Sequence, residues 1–258
     1  MASDDKRSKG TGDAAPLPPY PSDASSSSGP LPETEPPPYA GVLTPQASTL
    51  VPPETLIFRG DAIHSGSAAS SPRLYELSHP IGEMREFHTT VELSRVDYRM
   101  RSSSQVGAAP PDTISIRRRI STLTRPPPIT APSFPYYLEA ASGGMGDVGL
   151  EPYSRLRSSG YRVYKATRAK VPGEMRPLGV LFVARARGGG RYDWREGRED
   201  GKVLAYESFG QGFCQLQVVE GLERGWRDVL VGAWCLRLWQ EVVDAEPRPG
   251  LGRLVGYS

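Results

Sequence analysis

Apolar and polar residues alternate along most of the chain after residue 72, and the alternation then gives way to an unbroken apolar stretch. Residues 73–79 alternate, as do Phe87–Met100 through Val91, Leu93, Val96 and Tyr98, and Thr113–Ile120 through Ile114 and Ile116. Shorter runs follow at 135–140, 147–153, 161–168, 191–195, 202–208 and 213–219, while Leu178–Ala186 is almost continuously apolar. A period of two marks strands, and a short continuous run marks a strand buried on both faces. Roughly ten short strands in series predict a sandwich or barrel. The segment Trp226–Val243 is different, with apolar residues on every side of the helix it would form. Such a helix must be enclosed by protein or lipid. Its longest uncharged run, Val229–Leu236, is too short for a hydrocarbon core that needs about 20 residues, and Arg237 follows it. The pattern predicts a mainly β protein: a closed or nearly closed antiparallel barrel around one hydrophobic C-terminal helix.

Local signals refine this picture. Trp194, Trp226, Trp234 and Trp239 are expected in the core between barrel and helix. Gly188-Gly189-Gly190 reads as a turn, and Asp200-Gly201 as a type I′ hairpin turn. Residues 124–135 carry Pro126, Pro127, Pro128, Pro132 and Pro135, which excludes a central strand and predicts an exposed insertion or polyproline II segment. Leu251–Tyr257 reads as a short returning strand.

Composition divides the chain at about residue 72. Residues 1–72 hold 13 of the 26 prolines and 12 serines, with net charge −4. So polar a segment buries too little apolar surface to offset its ordering entropy, so it is expected to be a disordered tail. Residues 73–258, with net charge +6, are expected to form the folded domain. Cys214 and Cys235 read as reduced thiols. No secretory signal or transmembrane span is apparent, so the expected location is cytoplasmic, with peripheral membrane attachment left open.

Several short segments carry a resemblance. Tyr75-Glu76-Leu77-Ser78, Tyr192-Asp193-Trp194, Gly201-Lys202-Val203-Leu204-Ala205-Tyr206-Glu207 and Asp228-Val229-Leu230-Val231, with Trp234-Cys235 and Trp239, resemble the tubby C-terminal-like superfamily and a fungal group within it. The resemblance implies a β-barrel threaded by a hydrophobic C-terminal helix. Relatives include tubby proteins, phospholipid scramblases and plant LURP-one-related proteins, some of which bind phosphoinositides or move lipids. No acidic loop here matches the scramblases' metal-binding features.

Two further features point to partners. Pro36-Pro37-Pro38-Tyr39 is a PPxY motif and Leu17-Pro18-Pro19-Tyr20 a weaker version. WW domains read such segments because polyproline II presents Pro36, Pro37 and Tyr39, or Leu17, Pro18 and Tyr20, ready-made to an aromatic groove. The tail resembles those of adaptors that recruit HECT-type ubiquitin ligases. Arg117-Arg118-Arg119 lies in a strand-like run. It reads either as an anionic-lipid patch or as a solvated strand face. Arg118-Arg119-Ile120-Ser121 also reads as a basophilic-kinase site, with Ser121 as the phosphate acceptor.

No nucleophile elbow, phosphate loop or Cys/His pair is present. Asp193, Glu196, Glu199 and Asp200 crowd one hairpin and read as a solvated loop, not a metal cage. The expected protein is a non-enzymatic adaptor or binding protein without cofactor or metal, monomeric, with WW-domain partners, an anionic-membrane surface as a second partner and no nucleic-acid role. The alternative is a scramblase-like lipid-handling protein or an enzyme with an unrecognised site.

Overall fold

The computed structural model describes residues 50–245 except 67–70, 86, 101–112, 128–132, 142–144, 157, 170–173 and 210–212. In chain order the strands are β1 (Leu50–Val51), β2 (Glu54–Arg59), β3 (Ala62–Ser65), β4 (Arg73–Leu77), β5 (Thr90–Met100), β6 (Thr113–Thr124), β7 (Tyr136–Ala140), β8 (Asp147–Arg155), β9 (Ser158–Arg168), β10 (Met175–Gly188), β11 (Arg191–Glu196), β12 (Val203–Phe209), β13 (Cys214–Val218) and β14 (Leu222–Glu223). A 3₁₀ turn at Ile81–Glu83 precedes β5, and helix α1 spans Arg224–Ala245. Strands β2 to β13 close into an antiparallel barrel, sealed where β13 pairs with β2, while β1 and β14 form a separate two-stranded sheet.

The barrel interior is filled by α1. A closed sheet of this many strands leaves a lumen wider than its own side chains can fill, and a 22-residue helix, about 33 Å long, occupies it. Its large residues reach different walls. Trp234 packs edge-on against Phe58 of β2, Trp239 against Tyr136 of β7, and Trp226 against Phe182 of β10. Trp194, Trp234 and Trp239 are fully buried. Gly232 lets the helix approach the wall: a Cβ there would lie 2.8 Å from Leu138 Cδ1.

Three expectations are corrected. The boundary at residue 72 is wrong for residues 50–65, because β2 and β3 are staves of the barrel and Leu56, Ile57 and Ile63 are core. Arg227 of α1 binds this segment through Glu54 and donates to the Pro52 carbonyl at 3.1 Å. The turn with two residues at positive φ sits at Gly189 (61°) and Gly190 (71°), between the paired Gly188 and Arg191, as type I′ geometry requires. Asp200-Gly201 instead lies in a longer connection between β11 and β12, in which Gly201 packs against the Glu196 carbonyl. The segment after β6 is not wholly exposed: Phe134 is buried with Tyr137, Ala166 and Met175, and its ring lies over Gly149. Residues 1–49 and the expected strand Leu251–Tyr257 lie outside the described residues.

Candidate functional site

Strand alternation sets the site. On β5, Val91 and Leu93 face the barrel interior, so Arg95, Asp97 and Arg99 continue that face. Cross-strand partners share a face. Arg118 pairs with Arg95 and Ser121 with Leu93, which puts both on the inner side of β6, with Ile120 absorbed in a bulge between them. Arg117 and Arg119 pair with Val96 and Ser94 and belong to the outer side.

The arginine triplet is therefore divided. Arg117 Nε donates to Glu76 at 2.7 Å, and Arg119 donates to Glu92 and Thr122, each at 2.8 Å. Arg118 has no ion-pair or hydrogen-bond partner among the described residues. It borders a cavity of about 360 Å³ at the end of the barrel where α1 begins, together with Arg95, Arg119, Arg224, Ser121 and Asp228. Arg95, Arg118 and Arg224 thus meet one carboxylate at a cavity of ligand-binding size, with Arg119 at its border and its guanidinium held on the outer side by Glu92. The positive end of the α1 dipole adds to the same field.

Asp228 ties the cavity together. It accepts from Arg95 Nη1 at 2.6 Å and from the Tyr75 hydroxyl at 3.0 Å. Burial raises its carboxyl above the ordinary value, and the Arg95 charge opposes that shift. Burial likewise raises the Tyr75 phenol well above its usual value, with the Asp228 charge adding to the effect. Asp97 takes Arg95 at 3.1 Å and Arg224 at 3.4 Å, so those two guanidinium groups are partly neutralised and held in place. Among the described residues Arg118 is the cation of this set without a partner.

Ser121 is 7 % exposed, points inward and sits between β5 and β7 in the ladder. A kinase needs its acceptor extended and accessible, so the folded barrel withholds Ser121 and the phosphorylation reading is corrected. The arginines of β8 and β9 do not extend the cavity. Arg155 and Arg162 converge on Glu199 at 3.6 and 3.3 Å, and Arg168 binds Asp147 and Glu139. The acidic hairpin is also dispersed. Asp193 is buried and accepts from Arg187 at 2.6 Å and Arg195 at 3.2 Å, whereas Asp200 is exposed beside Arg198. No group of three metal-ligating side chains forms among the described residues. The WW-binding candidates Leu17, Pro18, Tyr20, Pro36, Pro37 and Tyr39 lie outside them.

Arg95 and Arg224 were not singled out by sequence reasoning. They lie 129 positions apart, and only closure of the barrel over the start of α1 brings both to Arg118. The one available signal was parity: Arg95 continues the alternation of Val91 and Leu93 where the apolar run ends.

Both thiols are free, Cys235 buried on α1 and Cys214 half-buried on β13. No helix among the described residues is long and apolar enough to cross a membrane. Comparison with protein-family models, curated proteins and solved structures finds no match.

Proposed function

We propose that this protein is a non-enzymatic binding protein whose barrel holds the anionic headgroup of a membrane lipid in the arginine-lined cavity. The observation that carries this reading is Arg118. It is a guanidinium unpaired among the described residues, at a concave site, flanked by Arg95 and Arg224, whose positions are fixed by Asp97 and Asp228. A phosphate would complete this set through charge-assisted hydrogen bonds. Tyr75, Arg95, Asp97, Arg224 and Asp228 are engaged with one another, which favours binding over proton transfer. The tubby-like resemblance accords with the reading, since a barrel threaded by its C-terminal helix is the fold that it implies. A scramblase-like activity is the rival within the same resemblance. Co-sedimentation with phosphatidylcholine vesicles, with and without phosphoinositide, tests the proposal. Binding that requires the anionic lipid and weakens in Arg118→Ala supports it, and equal recovery with neutral vesicles rejects it. Lipid transfer between leaflets by the purified protein would favour the rival.

A second reading concerns the tail, and it rests on Pro36-Pro37-Pro38-Tyr39 with Leu17-Pro18-Pro19-Tyr20. These motifs make the N-terminal segment that carries them a recruiting arm for WW-domain proteins, HECT-type ubiquitin ligases among them. The two parts together describe an adaptor that carries a WW-domain partner to an anionic membrane from the cytoplasmic side. Pull-down of isolated WW domains by the full chain tests this second part.

A further inference from the structure

β5 and β6 leave the barrel together. Pairing of β5 with β4 ends at Arg95, and pairing of β6 with β7 ends at Ser121. Beyond those points Val96–Met100 and Thr113–Arg117 pair only with each other among the described residues. The result is a two-stranded ribbon projecting about 15 Å past the rim. A lone ribbon of this kind is marginal in water without a surface to lie against.

The two faces of the ribbon differ. On the outer face the Tyr98 hydroxyl donates to the Arg73 carbonyl at 3.0 Å and Arg117 reaches Glu76, so this side is tied to β4. The inner face continues the cavity wall, and among the described residues nothing covers it. Ile114 and Ile116 stand on it two residues apart, 44 % and 40 % exposed, with Arg99 across the ladder from Ile114 and Arg118 next along the strand. Single exposed isoleucines are ordinary. Two in register, bracketed by arginines and running into an arginine-lined cavity, form an amphipathic strip. Asp97, the acidic residue on this face, is already engaged by Arg95 and Arg224.

We propose that the β5–β6 ribbon is a membrane-inserting element. Ile114 and Ile116 enter the boundary between headgroups and acyl chains of an anionic bilayer, while Arg99 and Arg118 stay at phosphate depth. Snorkelling allows this division, because arginine can lay its stem along apolar surface and keep its charge among headgroups. The proposal rests on the lipid reading of the cavity and adds to it an apolar contribution and an orientation, with α1 starting at the membrane side. Charge complementarity selects the membrane over other occupants. A second copy adding to the open edge of β6 would bring Arg117, Arg118 and Arg119 against the same residues, which like-charge repulsion opposes. A peptide adding to that edge would take its hydrogen bonds and leave the isoleucine face bare.

The test uses the full-length chain with phosphatidylcholine vesicles and monolayers, with and without phosphatidylserine. Wild type is expected to raise the surface pressure of anionic monolayers and to keep a residual of vesicle binding at about 1 M salt, where the Debye length is about 3 Å. The double variant Ile114→Ser/Ile116→Ser is expected to lose the pressure rise and to bind anionic vesicles about tenfold more weakly. Unchanged circular dichroism and melting would show that it remains folded. Wild-type binding without a pressure rise, equalled by the double variant, overturns insertion and leaves the cavity reading standing. No binding to anionic vesicles at any salt removes the lipid reading itself, and insertion with it. Self-association in sedimentation velocity that the double variant abolishes assigns the strip to a second copy and overturns the proposal.

Discussion

Arg237 of α1 and Glu207 of β12 form an ion pair inside the barrel with neither side chain exposed to solvent. The pair is supported on both sides. The Trp194 indole donates to the second Glu207 oxygen at 3.0 Å, and Arg237 also reaches Glu241 and lies 4.4 Å from the Tyr192 ring centroid. Its burial locks the rotational setting of α1 against β11 and β12. Above the Glu207 titration, at about pH 8, removing one partner leaves an uncompensated buried charge, so Glu207→Gln and Arg237→Met should each cost about 3–5 kcal/mol in urea unfolding there. The double variant Glu207→Leu/Arg237→Met should cost clearly less than the two singles together, because both desolvated charges are gone. Additive losses would mean that the two residues act independently.

The same carboxyl gives the fold a pH dependence of definite sign. Burial pushes Glu207 up to about 7 from an ordinary 4.5, with the Arg237 charge opposing the shift. Between these values the folded state keeps a proton that the unfolded state has released. Stability is therefore fully present below about 4.5 and is lost as pH rises through about 7. The slope should approach, at most, about 1.4 kcal/mol per pH unit. Asp228, also raised by burial, contributes with the same sign at lower pH. Melting temperatures measured from pH 5 to pH 8 should fall with pH in the wild type, and Glu207→Gln should flatten the decline.

Packing of α1 against the wall makes a third prediction. Trp234 is fully buried and packs edge-on against Phe58 with ring centroids 6.0 Å apart. Truncation to alanine should cost about 3–5 kcal/mol. Gly160→Ala should cost at least about 3 kcal/mol for a different reason: φ there is +151°, and a Cβ would lie 1.9 Å from the Ala184 carbonyl oxygen. Gly179→Ala, with nothing within 4 Å of the added carbon, is the matching control and should change stability by less than about 0.5 kcal/mol. Equal effects at Gly160 and Gly179 would contradict this geometry.

Alternation and the all-round apolar helix made the barrel legible from sequence, because both report burial directly. The signal failed where it was averaged. Leu56-Ile57-Phe58 and Ala62-Ile63 flank a turn at Gly60 and would have read as a hairpin, but they sit at the end of a Pro- and Ser-rich segment whose composition hid them. For the site, sequence reading noticed the three arginines but not that alternation sends Arg118 one way and Arg117 and Arg119 the other. Ser121 looked available because a motif carries no information about which side of a strand it occupies. Arg95, Arg224 and Asp228 joined Arg118 only through long-range closure, which no local pattern encodes.

The division of the arginine triplet predicts unequal roles on membranes. Arg117 and Arg119 are paired with Glu76 and Glu92, whereas Arg118 at the cavity has no partner among the described residues. A basic residue near an anionic surface contributes about 1 kcal/mol. Arg118→Ala should therefore weaken binding to phosphoinositide vesicles about fivefold at low salt. Arg117→Ala and Arg119→Ala should each have a smaller effect, since both side chains lie on the outer wall with their charge already partly neutralised by Glu76 and Glu92. All three differences should shrink as salt shortens the Debye length to about 3 Å at 1 M. Co-sedimentation across a salt series reads both trends. A larger loss at Arg117 than at Arg118 would move the anion site to the outside of the barrel.

The tail yields a prediction independent of the barrel. Tyr20 and Tyr39 stand 19 residues apart in a Pro-, Ser- and Gly-containing stretch. A random-coil peptide of that length has a root-mean-square span of about 25 Å. Tandem WW domains whose grooves lie at that separation can engage both motifs, with an effective concentration for the second in the millimolar range. Pro36-Pro37-Pro38-Tyr39 is the complete motif, so Tyr39→Ala should remove most binding to a single WW domain, while Tyr20→Ala should leave it nearly unchanged. Against a tandem pair the roles differ. Tyr20→Ala should then lose the avidity gain, and the double variant should lose all specific binding. Isothermal titration of full-length wild type and the three variants against single and tandem WW domains measures each step. Binding by Tyr39→Ala at wild-type strength would show that the proline-rich tail is not read through its PPxY motif.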